Sequence, residues 1–423
     1  MLAIDLDSPH GAALLATLAG RHGAPLARVA RLAGRLFLLR SPWAPGLRFV
    51  GGEVDAAHAL GVPEHPGGRL GLAGSAEKLE DALASCLGEG VERLSQVERP
   101  GDAVLHGPLA DLAKQALAAA RPLIETLLEN APAGRATPIA WVRGRSPGAD
   151  WQDVFVPADW CLRRAGAGPL AVPGAALSTG CAAGASFEAA AARALLELVE
   201  RDAVALWWIG GRRARPLACE SAAMAEAVRL LGMLREGEAG RASWLLDLTT
   251  DLAIPCVAAL SVDASGKGLA CGFAARLTLA AAVRAAILEM CQMELALLVA
   301  LAKGEERGED ALNGVDRRHL DRARRIGADR CALIHPLGAP ARPDLPPCSN
   351  AGEELATLLA QLARHGIETA LVDLTRPELG IAVAHAIAPR LQPLPCDMRT
   401  TRLQDAIAAA GGGGGMTEGV TLL

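Results

Sequence analysis

The sequence predicts a mixed α/β (α+β) fold, antiparallel or mixed sheets flanked by long helices around a central cavity. Three observations carry this. Segments within 67–99, over 187–208 and over 279–302 have helical apolar spacing. Between them lie short runs of small and branched residues, such as "IPCVAALSV" and "LACGFAA", joined by the Gly-containing turn "DASGKG". The length of 423 residues, with 51% hydrophobic and 21% charged, supplies a large core and room for two or three subdomains.

Taken in order, residues 1–66 form a lead-in with one strand-like run, "RLFLLR", and several Gly and Pro breaks; no chemistry attaches to it. Over 67–99 a Gly-rich turn feeds a long amphipathic helix, and a second helix is expected over 108–130, with Pro100 and Pro132 as punctuation. Residues 131–177 are rich in Pro and Gly and hold the strand candidates "TPIAWVRG" and "DVFVPADW". The small-residue loop "STGCAAGAS" ends at Ser186, a good N-cap, and Phe187–Trp208 then reads as a helix whose all-round Ala and Leu content means burial. After the hairpin, Thr278 caps a third helix, 279–302, stopped at Gly304. The charged stretch 303–325 reads as a solvated excursion. A helix over 351–365 leads into two strands in "GIETALVDLTRP" and "GIAVAHAIAPRL", and the glycines 411–415 read as a flexible hinge before an eight-residue tail. The expected division is 1–66, 67–410 and 411–423.

Composition excludes some functions. Forty-two basic against 47 acidic residues leave a net charge of −5, and the aromatics are seven Trp, five Phe and no Tyr. Neither a polyanion footprint nor a base-stacking platform is expected, so nucleic acid is not a main partner. The ten cysteines contain no C-x-x-C pair and mostly sit in apolar runs, as buried free thiols do. Asp5 and Asp7 stand where a secretory signal needs a basic region, and the long apolar runs carry charges, so no membrane partner and a cytoplasmic location are expected.

The chemistry-bearing pattern is a carboxylate followed three residues later by another carboxylate or an amide, on three separate helices. That spacing places both groups on one face. Ser85, Glu89, Glu92 and Gln96 form such a stripe, opposite Leu83, Leu87 and Leu94; by itself it fits any surface helix. Glu197, Glu200, Arg201 and Asp202 interrupt an otherwise apolar helix, where a buried carboxylate is costly unless paired or bound to metal. Internal pairs Arg193 to Glu197 or Glu197 to Arg201 would also compensate them. Arg284, Glu289, Gln292 and Glu294 interrupt the third helix. Converging, these groups would build an oxygen-rich cage for Mg2+ bridging to substrate phosphates. No G-x-x-x-x-G-K-[ST] loop is present.

The string Ser85-x-x-x-Glu89-x-x-Glu92-Arg93, the block "STGCAAGASFEAAAARALLELVERDAVALWW", "ILEMCQ" after a two-strand segment, and "DLTRPELGIAVAHAIAP" resemble, in order and spacing, the YcaO family of ATP-dependent enzymes. The resemblance spans roughly 67–394. It implies ATP and Mg2+ as cofactors, and activation of a peptide backbone amide by phosphorylation of its oxygen. The product is an azoline when a Cys, Ser or Thr side chain attacks, and a thioamide when a sulfide source does. It implies Glu89, Glu92, Glu197, Glu200 and Glu289 at the metal, Ser85, Arg93, Ser178, Arg201 and Gln292 at the nucleotide, and Glu200 with Arg201 at the reacting centre. Glu294 fits this pattern less well. A precursor peptide, a leader-binding or nucleophile-delivering partner protein, and a homodimer are likewise implied by the resemblance.

Two departures stand out. Many azoline-forming members end in a proline-rich terminus that reaches the active site, whereas this chain ends "GGGGGMTEGVTLL" and has "QPLP" only at 392–395. Ala382 replaces a proline common in the late strand. A non-catalytic scaffold that binds nucleotide or peptide for another enzyme is the alternative, disfavoured by intact carboxylates in all three blocks. The nine histidines show no metal-ligand spacing. Trp207 and Trp208 read as core, and Cys181 lies beside the expected site.

Overall fold

The computed structural model describes residues 2–61, 68–129, 134–147, 151–164, 168–170, 176–237, 240–340, 345–395 and 398–422. Gly67, Asn130, Pro132 and Cys396, which figured in the reading above, lie outside the described residues. Three sheets, antiparallel throughout, organise the chain. The first runs β1 (Leu2–Ala3), β2 (Ala33–Leu39), β3 (Arg48–Asp55), β4 (Arg69–Ala76) in that order. The second contains β5 (Leu105–Gly107), β6 (Ile139–Ser146), β7 (Gln152–Pro157) and β8 (Cys181–Gly184) together with the late strands β12 (Ala370–Asp373) and β13 (Ala382–Ile387). Its order is β5-β6-β12-β13-β8, with β7 also on β6. The third is β11-β10-β9, built from β9 (Ala242–Asp247), β10 (Cys256–Val262) and β11 (Ala270–Ala275).

Helices bind the sheets into one body. In the lead-in, α1 (Pro9–His22) and α2 (Ala24–Ala30) pack on α4 (Leu79–Ser95), and the short α3 (Ala56–Leu60) follows β3. Because β4 completes a sheet begun by β1 to β3, the expected boundary near residue 66 falls inside one sheet. Helix α7 (Phe187–Trp208) starts at Ser186, whose side chain accepts the Ala189 N–H, and packs between β8 and β13 on one side and β11 on the other. Its alanines let both sheets come close. Helix α9 (Leu279–Arg307), capped by Thr278, lies along β11, β10 and α8 (Ala222–Arg235). By length and composition α9 is long and apolar enough to cross a membrane, and here it packs on that sheet.

Three glycines set how closely these helices approach their strands. A Cβ on Gly74 of β4 would lie 2.2 Å from Cys86 N of α4, and one on Gly184 of β8 2.5 Å from Ala190 N of α7. One on Gly272 of β11 would lie 2.2 Å from both Ala286 O and Met290 N of α9. No other residue fits at these crossings without separating helix from strand.

Several expectations are corrected. The Gly-rich turn before α4 is strand β4, because Gly71 and Gly74 alternate with Leu70, Leu72 and Ala73 along a paired edge. The single helix over 108–130 is broken: α5 (Leu109–Leu112) and α6 (Arg121–Glu129) flank a turn, a bridge from Ala116 to Phe155 and a short 3-10 turn over Ala118–Ala120. The third helix passes through Gly304 and ends at Gly308, where φ is 80°. The charged excursion holds α10 (Gly314–Arg325), capped reciprocally by Asn313 and Asp316 and anchored by buried Leu320 and Arg322. Helix α11 (Ala351–Arg364) agrees with expectation. The glycine run is not a loose hinge: after α12 (Thr401–Ala410), Gly413 N–H bonds Ile209 O, α13 (Gly414–Thr417) follows, and Val420 O accepts the Trp208 indole N–H. Among the cysteines, Cys219 is exposed.

Gly272→Ala is expected to destabilise the chain by about 3 kcal/mol through backbone overpacking, whereas Gly71→Ala, with open space at its Cβ, changes stability little. Thermal unfolding midpoints of the two variants check this; equal midpoints would contradict it.

Candidate active site

The acidic pairs lie at the strand-facing ends of these close crossings. Glu89 of α4 accepts the Ala73 N–H of β4 at 2.6 Å, and Glu289 of α9 accepts the Phe273 N–H of β11 at 2.6 Å. Glu197 of α7 accepts the Gly180 N–H just before β8 at 3.0 Å. The second member of a pair reaches the neighbouring unit: Glu92 accepts the Ala183 N–H of β8 at 2.8 Å, and Gln292 accepts the Ser75 hydroxyl of β4 at 2.9 Å. Glu200, itself buried, has no backbone donor; its nearest cation is Arg201 at 3.9 Å.

The carboxylates form an electrostatic row. Burial, reinforced by Glu197 and Glu89, pushes Glu92 up to about 8 in spite of the Ala183 N–H. Burial also pushes Glu200 up to about 8, with Glu289 and Glu197 adding to it and Arg201 opposing it. Glu197 and Glu289 are raised by burial too, although Arg201 lowers both. Neighbouring like charges that are partly desolvated favour protonation unless a cation joins them. The internal pairing proposed from sequence is present only in part: Arg201 meets Glu197 at 3.4 Å, whereas Arg193 is turned to Ala183 O at 3.0 Å.

The other expected residues are placed as follows. Ser85, Glu89 and Glu92 line one cleft of about 840 Å3 with Arg193 and, from the lead-in, His22. Arg93 is bonded to Glu89 through Nε at 3.0 Å. Ser178 closes a short turn ahead of β8, and Thr179 beside it donates to Leu394 O. Glu294 belongs elsewhere: it is fully buried, with Arg235 at 2.6 Å, Arg241 at 3.1 Å and the Ser261 hydroxyl at 2.5 Å, a closed structural cluster. Asp202 likewise binds Arg402 and the Gln392 N–H, and Gln96 donates to Leu177 O. Cys181 is buried and its thiol is pushed well up by burial, Glu92 and Glu197, which makes it inert. Arg276 was missed by the sequence reading; it lowers Glu197, Glu200 and Glu289 and stands between β11 and the Thr278 cap. Arg163, whose own pKa is lowered by burial and by Arg93, was missed too.

Among the described residues no three His, Cys, Asp or Glu side chains already form a single metal cage, so the one oxygen-rich cage expected from sequence is replaced by a row of pairs. The donor set still fits hard divalent cations. Carboxylate oxygens are the ligands such ions take, and a cation between Glu92 and Glu197, or between Glu200 and Glu289, would remove the repulsion that keeps these acids protonated. Arg193, Arg201 and Arg276 would face the phosphates of a nucleotide held by those ions.

Unfolding returns Glu92 and Glu200 to their ordinary range near 4.5, so between about 4.5 and about 8 the folded chain binds more protons and loses stability as pH rises. The unfolding midpoint without metal is therefore expected to fall from pH 6 to 8.5, and the rise produced by Mg2+ with ATP to be larger at pH 8.5. Scanning fluorimetry checks both signs; a midpoint that climbs over this range without metal contradicts the assignment. Glu294→Gln is expected to cost about 3 to 5 kcal/mol of stability by leaving two arginines uncompensated, while Glu289→Gln lowers Mg2+-ATP affinity with little loss of stability. Denaturation and calorimetric titration separate the two.

Comparison with known proteins agrees with the geometry. The family described as "YcaO cyclodehydratase", ATP- and Mg2+-binding, matches residues 73–392. Among solved structures, a heterocyclase in complex with substrate and cofactor is 23% identical, covers 94% of this chain and 55% of its own, and superposes with a TM-score of 0.70. YcaO from Methanopyrus kandleri bound with AMPPCP and Mg2+ is 20% identical, with 90% and 91% covered and a TM-score of 0.59. The E. coli microcin synthetase McbBCD complex is 16% identical, with 84% and 88% covered and a TM-score of 0.59. The chain spans about half the length of the first of these. No curated protein matches it. With 73–392 containing every expected carboxylate, the chain belongs to the YcaO family of ATP- and Mg2+-binding cyclodehydratases.

Proposed function

We propose that the chain uses ATP to activate a backbone amide of a ribosomally made peptide. A nucleophile adds to the amide carbon, the resulting oxyanion takes the γ-phosphoryl group of ATP, and loss of phosphate carries away the former amide oxygen, leaving ADP. The observation that carries this reading is the row Glu89, Glu92, Glu197, Glu200, Glu289. Three helices supply it, and Arg93, Arg193, Arg201 and Arg276 offset its charge only in part, since Glu92 and Glu200 are still pushed up to about 8. Mg2+ at these carboxylates would spread the charge of the triphosphate, a mechanism of positioning and electrostatics rather than covalent catalysis.

The protein's own groups have separate tasks in this reading. Backbone N–H groups of Ala73, Ala183, Gly180 and Phe273 fix one oxygen of four carboxylates; Arg93 and Arg201 take the other oxygen of Glu89 and Glu197, and the other oxygens of Glu92 and Glu289 would be open to a ligand. Arg201 and Arg276 orient Glu197, Glu200 and Glu289 and stabilise negative charge developing on transferred phosphate. Azoline and thioamide products differ only in the nucleophile. The C-terminal residues sit at the far end of α7, where Val420 meets Trp208, eight residues or about 12 Å beyond Glu200.

The purified chain with Mg2+-ATP, a candidate partner protein and a candidate precursor peptide is expected to release phosphate only when peptide is present, with Glu200→Gln slowing release at least a hundredfold. Mass spectrometry of the peptide distinguishes loss of water from exchange of oxygen for sulfur. Equal phosphate release from both proteins would leave the scaffold alternative standing.

A further inference from the structure

Strand β4 is the edge of its sheet, paired with β3 on one side, and it holds side chains from two different helices. The Ala73 N–H donates to Glu89 of α4 at 2.6 Å, and two residues further on the Ser75 hydroxyl donates to Gln292 Oε1 of α9 at 2.9 Å. Two residues of strand advance about 6.6 Å. One short stretch of β4 therefore sets the spacing between the first and the third acidic block.

The direction of the second bond decides what Gln292 can offer. A glutamine amide has one acceptor oxygen and an NH2 with two donors. With Oε1 engaged by Ser75, the NH2 forms no hydrogen bond among the described residues. Gln292 lies three residues after Glu289, on the same face of α9. An N–H group in that place is attracted to carboxylate and phosphate oxygens, whereas a carbonyl oxygen there would add to the crowding of negative charge.

The junction of β4 with α9 does not depend on this bond alone. Glu77, directly after β4, is ion-paired with Arg284 of α9, and Arg284 also holds Glu226 of α8 at 3.1 Å. Arg284 and Gln292 are separated by eight residues, about 12 Å along the helix. Strand and helix thus stay docked when the Ser75 hydroxyl is removed, and what is lost is the orientation of one amide.

We propose that Ser75 is a positioning residue for the nucleotide: it holds Oε1 of Gln292 so that the amide NH2, and not its oxygen, meets the triphosphate. Gln292 is then a hydrogen-bond donor to phosphate beside the metal and not a metal ligand. This rests on the reading of the carboxylate row as a site for Mg2+-ATP. Loss of a single neutral hydrogen bond changes an equilibrium by about fivefold, which sets the size of the effect.

The test is calorimetric titration of the full chain with AMPPCP, repeated over a range of Mg2+ concentrations, together with unfolding midpoints. Ser75→Thr and Ser75→Val have nearly the same shape and differ in the hydroxyl. Ser75→Thr is expected to bind AMPPCP like the unaltered chain, and Ser75→Val about fivefold more weakly, with the same unfolding midpoint for both. Gln292→Glu, which replaces the donor by a carboxylate, is expected to weaken AMPPCP binding at least tenfold at every Mg2+ concentration. Equal AMPPCP affinity of Ser75→Val and Ser75→Thr would overturn the proposal. So would half-maximal binding of AMPPCP by Gln292→Glu at lower Mg2+ than the unaltered chain needs, the behaviour of a metal ligand. An unaltered chain that takes up no AMPPCP would overturn the Mg2+-ATP reading itself and this proposal with it, so the two failures are distinguishable.

Discussion

The structure depends on one constraint: carboxylates of α4 and α9 are held against strand N–H groups beside crossings that only glycine permits. Gly74, Gly184 and Gly272 let α4, α7 and α9 approach their strands to backbone contact. The residues beside them, Ala73, Ala183 and Phe273, then donate to Glu89, Glu92 and Glu289. Widening any crossing by one methyl group would both loosen the core and release a carboxylate. Packing and site geometry are one interaction here.

The arrangement repeats. In the first and third units the strand donor precedes its glutamate by 16 residues, Ala73 to Glu89 and Phe273 to Glu289, and the second member of the pair reaches another unit's strand. The middle unit departs from this, because Glu200 receives no backbone N–H. It is left to Arg201, Arg276 and whatever cation arrives, which places it where charge must be supplied from outside. Glu294 shows the opposite solution to burying an acid, with two arginines and a hydroxyl closing around it. Glu289 and Glu294, on one helix, thus meet opposite surroundings.

Much of this was legible in the sequence, and the physical reasons for the rest are specific. The helix Phe187–Trp208 and its Ser186 cap, the β10–β11 hairpin and the Thr278 cap are local signals of composition and capping, and they read correctly. Spacing also places each carboxylate pair on one helix face. Strand β4 did not, because its glycines serve a tertiary contact with α4 and look like a turn in isolation. The helix expected over 108–130 was broken by pairing of Ala116 with Phe155, a long-range term invisible to periodicity. Glu294 could not be told from Glu289 until Arg235 and Arg241 were brought to it from distant segments. Arg276 had a weak signal, a charge at the end of an apolar strand just ahead of a helix cap. The glycines at 411–415 suggested freedom, whereas Gly413 is there to let the backbone pass Trp208 O.

The most direct test of the central claim is the anomalous scattering of crystals grown with Mn2+ and AMPPCP. The account predicts metal peaks beside Glu92 and Glu197 and beside Glu200 and Glu289, with the nucleotide phosphates next to them. Nucleotide bound elsewhere, with all five carboxylates still facing only protein groups, would contradict it.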